Sequence, residues 1–119
     1  VTGAKSKKQA KNIAFSIANS PLVKTAISGE DANWGRVIMA IGKSRENIIQ
    51  DKIKIYFGSY LLCKSGKINP KINILKKNKY MKDKFIKIRV DLGIGINNHK
   101  VYGNDLSYDY IKINSDYRS

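Results

Sequence analysis

The segment Lys52–Lys64, KIKIYFGSYLLCK, decides the fold. Its first part, KIKIYF, alternates strictly between polar and apolar residues, so that Ile53, Ile55 and Phe57 share one face. Such alternation is typical of a strand that is buried on one side and exposed on the other. Gly58-Ser59 then predicts a turn into a second strand over Tyr60–Lys64. The segment therefore predicts an antiparallel hairpin that packs through one face.

Other segments of the chain also read as extended. Phe85–Leu92 alternates again, with apolar residues at the even positions and charged residues between them. Shorter patterns predict a buried strand at Leu22–Ile27 and the end of a strand at Val1–Ala4. Two more extended segments are expected near the carboxyl end, at Lys100–Tyr102 and Ser107–Asn114.

Helical periodicity appears in three places. The segment Ser6–Ser20 has its apolar residues on one helical face, and Ser6 is a plausible N-cap for this helix. Pro21 follows and prevents the helix from continuing. Arg36–Ile41 forms a compact apolar helix for which Gly42 is the expected C′ residue. Ile72–Lys84 is ambiguous, although its pattern favours a helix over a strand.

Strands that alternate, rather than being apolar throughout, argue against a parallel sheet buried on both faces. We therefore expect an α+β fold, a two-layer domain in which a mixed or antiparallel sheet carries helices packed on one face. With 119 residues, the chain is expected to form a single domain over residues 1–119.

Composition narrows the class of protein. There are 23 Lys+Arg against 9 Asp+Glu, a net charge of +14, and 42% of the residues are hydrophobic, which is enough for a core. The charge keeps a small basic RNA-binding module open as an alternative. However, 19 of the basic residues are Lys and only 4 are Arg, the residue suited to bidentate phosphate and base contacts. The leading expectation is therefore that there is no nucleic-acid partner, and the RNA-binding module stays the alternative.

The same composition bears on location. One cysteine allows no internal disulfide, and no apolar run is long enough to span a bilayer. No signal peptide opens the chain, which begins at Val1 and so looks like a piece of a longer protein. We expect a cytoplasmic protein with no membrane partner.

Residues that could support catalysis within this chain are few. His99 lies in a Gly/Asn-rich turn region and is expected to be an exposed loop imidazole, because a general base needs an oriented partner. Cys63 lies among apolar neighbours and is expected to be a buried thiol. Gly93-Ile94-Gly95 lacks the third glycine of a dinucleotide loop, and no Cys/His cluster is spaced to hold zinc. Neither a metal site nor a cofactor is expected from these residues.

Two segments nevertheless stand out. Gly29–Arg36, GEDANWGR, reads first as a capped turn in which Asp31 or Asn33 caps a helix and Trp34 fills the core. The alternative for this loop is that it shapes a polar pocket. Asp105–Ser119, DLSYDYIKINSDYRS, interleaves tyrosines with aspartates and reads as a terminal strand followed by a polar tail.

These segments, together with others, resemble the carboxy-terminal part of the ornithine acetyltransferase (glutamate N-acetyltransferase) family of arginine biosynthesis. The matching stretches are VTGA at Val1–Ala4, SIANSPLVKTA at Ser16–Ala26, GEDANWGR, IRVDLG at Ile88–Gly93 and the terminal Asp105–Ser119. Ala32 stands where the family usually has Pro, and the Lys-rich Ile72–Lys84 stands where relatives are usually more acidic.

The resemblance implies a self-cleaving acyltransferase. A Thr at the new amino terminus of its second chain takes acetyl from N-acetylornithine and passes it to glutamate, by way of an acyl-enzyme and an oxyanion hole. The context of Thr2 differs from the cleavage motif, so the nucleophile is expected upstream, and no catalytic residue lies in this chain. The fragment alone is expected to be inactive.

The resemblance also implies two substrate contacts, Asn114 and Ser119, through which an amide and a hydroxyl would hold the amino-acid head group. The expected partners are these small substrates and the upstream alpha chain of the same precursor, in a hetero-oligomer. No cofactor is implied, except acetyl-CoA as an acetyl donor if the enzyme is bifunctional and also makes N-acetylglutamate.

Overall fold

The computed structural model describes residues 1–104. Four α-helices and four strands occur within this range. The helices are α1 (Lys7–Ala18), α2 (Pro21–Ser28), α3 (Trp34–Lys43) and α4 (Ile74–Tyr80). The strands are β1 (Lys54–Phe57), β2 (Tyr60–Lys64), β3 (Lys67–Ile68) and β4 (Ile88–Asp91), and a short 3₁₀ turn spans Gln50–Lys52.

The strands form one antiparallel sheet in the order β3-β2-β1-β4. Ile55 of β1 is opposite Cys63 on one side and Val90 on the other, and all three side chains are buried. A bulge next to Ile55 places Leu61 opposite Tyr56, so that Leu62 of β2 has no paired residue in β1. The hairpin and the β4 strand that the alternation predicts are thus confirmed.

The core lies between the helices and one face of the sheet. It joins residues of α1, α2 and α3 to residues of the sheet in one continuous cluster: Ala10, Ile13, Ile17, Val23, Val37, Ala40, Ile41, Ile53, Ile55, Phe57, Leu62, Cys63, Val90 and Leu92. Burial of this apolar surface is the main force that holds the two layers together. The expected α+β two-layer fold is confirmed.

Helix α1 forms as its sequence predicts. The Ser6 Oγ accepts a hydrogen bond from the Gln9 N–H at 3.0 Å and so satisfies a free donor of the first turn. The buried Gln9 side chain accepts from the Lys5 N–H and donates to the Asn47 carbonyl, so its polar atoms are paired inside the fold. A further bond, from the Ser16 hydroxyl to the Ala40 carbonyl at 2.6 Å, ties α1 to α3.

The strand predicted at Leu22–Ile27 is wrong, because these residues form helix α2. Ser20 caps this helix by accepting from the Val23 N–H at 3.3 Å, and Pro21 occupies its first turn, where a missing N–H costs nothing. Val23 and Ala26, three residues apart, are the buried positions. Pro21 thus starts a new helix as well as ending the previous one.

Two further expectations need correction. Gly42 is not the C′ residue of α3 but lies inside the helix, which runs on to Lys43 and has Ser44 as its C-cap. The extended segment predicted at Lys100–Tyr102 contains no strand; Asn97 and His99, just before it, pair with the amino-terminal residues. The segment predicted at Ser107–Asn114 lies outside the described residues.

None of the helices within residues 1–104 combines the length and the apolar character needed to cross a bilayer.

Candidate functional site

Two stretches that are far apart in the sequence, Val1–Ala4 and Ile88–Gly93, lie side by side in the sheet. The Thr2 N–H donates to the Val90 carbonyl at 2.8 Å, and the Leu92 N–H donates to the Thr2 carbonyl at 2.9 Å, which makes a parallel bridge between Thr2 and Asp91. On the other side of the Val1–Ala4 stretch, Ala4 forms an antiparallel bridge with Asn97. The stretch predicted as a strand end is therefore held between β4 and the segment around Asn97.

Gly3 allows this close approach. Its φ of +68° is left-handed, and a Cβ at this position would overlap the Asp91 Oδ1 and lie 2.9 Å from the Gly93 nitrogen. The Asp91 Oδ1 itself accepts from the Gly93 N–H at 3.1 Å, while the Gly3 N–H donates to the Asn98 side chain at 3.3 Å. Sequence reasoning missed this junction, although the glycine after Thr2 and the glycine after Asp91-Leu92 are the local signals of it.

The hydroxyl of Thr2 is the unusual group at this junction. Its Oγ1 is buried, and it has no hydrogen-bond partner within residues 1–104. An enclosed hydroxyl without a partner loses its hydrogen bonds to water and gains none in return.

The loop Gly29–Arg36 connects α2 to α3 as a tight turn. At the end of α2, the N–H groups of Gly29 and Asp31 donate to the carbonyls of Thr25 and Ala26, with Glu30 between them at a left-handed φ of 57°. The carbonyl acceptors at the end of α2 are thus satisfied by the turn itself.

Asn33 then begins α3. Its Oδ1 accepts from the Arg36 N–H at 3.0 Å, so Asn33, rather than Asp31, is the N-cap, while Asp31 accepts from the Asn33 side-chain amide at 3.2 Å. The Arg36 Nη1 donates to the Leu22 carbonyl at 2.9 Å and links the start of α3 to the start of α2. Trp34 is half-buried against the core. The geometry agrees with the capped-turn interpretation of this loop.

Surface grooves lie elsewhere. One, of about 440 Å³, lies between the end of α1, the start of α2 and the end of α3; its lining includes Phe15, Asn19 and Lys43. Another, of about 340 Å³, lies between β2 and the start of α4 and includes Tyr60, Asn69 and Lys76. Neither groove is lined by the Gly29–Arg36 loop, so they give no support to the alternative in which the loop shapes a pocket.

The two isolated candidate residues are placed as follows. Cys63 is fully buried in the core, and burial raises the pKa of its thiol against the opposing effect of the Gly66 N–H. His99 is half-buried rather than exposed, because its backbone pairs with Val1 and its ring lies 6.2 Å from the Phe15 ring, centroid to centroid. Within the described part of the chain, no three His, Cys, Asp or Glu side chains come together as metal ligands.

The substrate contacts predicted at Asn114 and Ser119 lie outside the described residues. Their roles stay predictions.

Comparison with known proteins defines the class to which this fold belongs. A model of the ArgJ family matches residues 1–119. The chain is 52% identical over 119 residues to the arginine biosynthesis bifunctional protein ArgJ of Mesorhizobium japonicum and 52% identical to that of Brucella suis, in each case over 100% of this chain and 29% of the relative. The chain therefore belongs to the ArgJ family.

The fold is shared as well. A crystal structure of the arginine biosynthesis bifunctional protein ArgJ from Bacillus halodurans superposes with a TM-score of 0.90 at 40% identity, over 98% of this chain and 55% of that chain. The chain thus spans about three-tenths of the length of the curated relatives it matches. These relatives are arginine biosynthesis proteins, so the comparisons do not support the RNA-binding alternative.

Proposed function

We propose that residues 1–119 form the carboxy-terminal domain of a longer glutamate N-acetyltransferase, which moves acetyl from N-acetylornithine to glutamate in arginine biosynthesis. The observation that carries this proposal is the family match over the whole chain, at about half identity to relatives more than three times as long.

The reaction divides into two transfers. A Thr hydroxyl in the part of the polypeptide outside this chain attacks the acetyl carbonyl of N-acetylornithine; the amide C–N bond breaks, and ornithine leaves with the proton on its amine. The glutamate amine then attacks the acetyl ester, which releases N-acetylglutamate and restores the hydroxyl. Hydrogen-bond donors facing the carbonyl oxygen would stabilise both tetrahedral intermediates.

This chain would position the substrate and would not perform the acyl transfer itself. Asn114 and Ser119 offer an amide and a hydroxyl, which hydrogen-bond an amino-acid head group at any physiological pH because neither group titrates there. The turn at Asn33 and Arg36 and the junction at Gly3 and Asp91 would hold the domain in shape.

The remaining features of the proposal concern the complete protein. The enzyme would cleave itself into two chains, act as a hetero-oligomer of these chains and reside in the cytoplasm. If it is bifunctional, acetyl-CoA would serve as a second acetyl donor.

The test is to express the complete polypeptide that carries this chain. It should migrate as two chains on a denaturing gel and should transfer acetyl from N-acetylornithine to glutamate, as detected by mass spectrometry. Residues 1–119 alone should transfer none, because they would lack the nucleophile. A complete polypeptide that folds and yet transfers no acetyl would overturn the proposal.

A further inference from the structure

One face of the sheet lies outside the core that residues 1–104 form. In β1 and β4, Ile55 and Val90 point into the core, so the neighbouring residues of the pleat point the other way. We call this side the open sheet face; it is formed by Lys54, Tyr56, Leu61, Lys64, Arg89 and Asp91. Lys64 is exposed, and the other five residues are half-buried.

The open sheet face is positively charged. Three of its six residues, Lys54, Lys64 and Arg89, are basic, and one, Asp91, is acidic. The Arg89 guanidinium carbon lies 4.0 Å from the centre of the Tyr56 ring. A guanidinium that stacks on an aromatic ring through its face can still donate from the N–H groups at its rim to other acceptors.

An antiparallel sheet can leave one face to water, so an uncovered face does not by itself require a partner. One feature here goes beyond that. Leu61, an apolar residue, lies on this face opposite Tyr56.

We propose that, in the complete polypeptide, an acidic segment from outside residues 1–119 packs on the open sheet face and contacts Lys54, Lys64 and Arg89. This inference rests on the proposed function only in taking the chain as one part of a longer enzyme. Charge complementarity indicates an acidic partner, and it disfavours a second copy of the same face, which would set cations against cations.

The relatives are long enough to supply such a segment from outside the part that this chain matches. This chain covers 29% of the Mesorhizobium protein and 55% of the solved Bacillus chain, and nearly all of it keeps the same fold inside that larger chain. The two-layer domain is therefore built next to a large amount of further polypeptide, while the core of its described residues lies on one side of the sheet.

The experiment measures the accessibility of lysines in the complete, folded polypeptide. Native protein is acetylated briefly with an N-hydroxysuccinimide ester, and the rate at each lysine is read by mass spectrometry relative to the rate in denaturant. Lys7, Lys8 and Lys11 on the exposed side of α1 are the matched controls. We expect Lys54 and Lys64 to react at least tenfold more slowly than these controls.

A zero-length carbodiimide cross-link then identifies the occupant. We expect Lys54 or Lys64 to be joined to an Asp or Glu outside residues 1–119 of the same polypeptide. A Lys54→Glu substitution should restore the reactivity of Lys64, whereas Lys8→Glu should not change it.

Several outcomes would overturn the inference. Lys64 reacting as fast as Lys8 would show that the face is open to solvent. Cross-links between the same faces of two copies, or protection that nuclease or detergent removes, would indicate a second copy, a nucleic acid or a lipid instead. Acetyl transfer is assayed on the same sample, so an active enzyme with a reactive Lys64 rejects only this inference, and an inactive one with the expected cross-link rejects only the proposed activity.

Discussion

Gly3 lies directly against the carboxylate of Asp91, so close that even a methyl group on Gly3 would overlap the Asp91 Oδ1. The contact joins two segments about 90 residues apart in the chain, and hydrogen bonds from Thr2 to β4 and from Ala4 to Asn97 hold it from both sides. An exchange at Gly3 therefore acts on the whole edge of the sheet.

Gly3→Ala should destabilise the protein. A left-handed φ of +68° costs an L-residue about 1–2 kcal/mol, and the overlap with Asp91 adds to this cost, so we expect a loss of about 2–3 kcal/mol in the free energy of unfolding. Urea denaturation followed by circular dichroism measures it. Adding Asp91→Ala to the same protein should recover part of the loss, namely the part due to overlap. An unchanged urea midpoint for the single variant would show that the Gly3–Asp91 contact is not formed in solution.

Gly42→Ala should do the opposite. Gly42 lies inside α3, is exposed, and has nothing within 4 Å of the position of an added Cβ. Alanine is favoured over glycine in a helix by up to about 1 kcal/mol, so a gain of about 0.5–1 kcal/mol is expected. The same urea titration compares the two glycine variants directly. A loss of stability here would mean that α3 ends before Gly42, as the sequence pattern had indicated.

Asn33→Ala tests the cap of α3. Removing the side-chain oxygen leaves the Arg36 N–H without its acceptor, and the loss of such a cap costs about 1 kcal/mol. Thermal unfolding should show a lower midpoint for Asn33→Ala, while Asn33→Ser, which keeps an acceptor oxygen, should stay close to the parent protein. If Asp31→Ala lowers the midpoint and Asn33→Ala does not, the cap has been assigned to the wrong residue.

The hairpin and β4 were predictable from sequence because their signal is local, whereas the two-residue strand β3 was not predicted. Alternation in KIKIYF places Ile53, Ile55 and Phe57 on one side, and all three are buried. The α2 segment was not predictable in the same way. A short apolar run such as LVKTAI is compatible with a strand or with a buried helix, and packing against α1 and α3 decides in favour of the helix.

The junction between Val1–Ala4 and β4 shows a different limit. Which segments pair in a sheet depends on backbone hydrogen bonds between residues distant in sequence, such as Val1 and His99. Gly3 and Gly93 are local signals of a tight backbone, but they do not identify the segment that packs against it. The placing of Asn114 and Ser119 came from family resemblance alone, since an amide and a hydroxyl near a chain end have no pattern that marks them as substrate contacts.

Cys63 should be unreactive in the folded protein. Burial raises the pKa of its thiol, which keeps it protonated, and its side chain is inaccessible. Iodoacetamide at pH 8.5 should modify it at least about tenfold more slowly than in the urea-unfolded chain.

The same shift predicts a pH dependence of stability. The folded thiol holds its proton to higher pH than the unfolded thiol, whose pKa is about 8.5, so the free energy of unfolding should fall as the pH rises from about 8.5 toward the raised folded value. Cys63→Ala should remove this part of the pH dependence.

In the alkylation test, rapid modification of Cys63 by iodoacetamide in the folded protein would contradict the burial of this thiol.

Asn114→Ala, made in the complete enzyme, tests the substrate contact that the family resemblance implies. If the amide hydrogen-bonds the amino-acid head group, its loss removes about 1–2 kcal/mol of binding in the transition state, which corresponds to a decrease in kcat/KM of about tenfold. Stability should change little, because the proposed contact of Asn114 is with the substrate. Steady-state acetyl transfer at varied N-acetylornithine measures the first quantity, and thermal unfolding measures the second. Asn78→Ala, at an exposed position of α4, is the matched control and should leave both unchanged. If kcat/KM for Asn114→Ala equals that of the control, Asn114 does not contact the substrate; if both kcat/KM and the unfolding midpoint fall together, its role is structural.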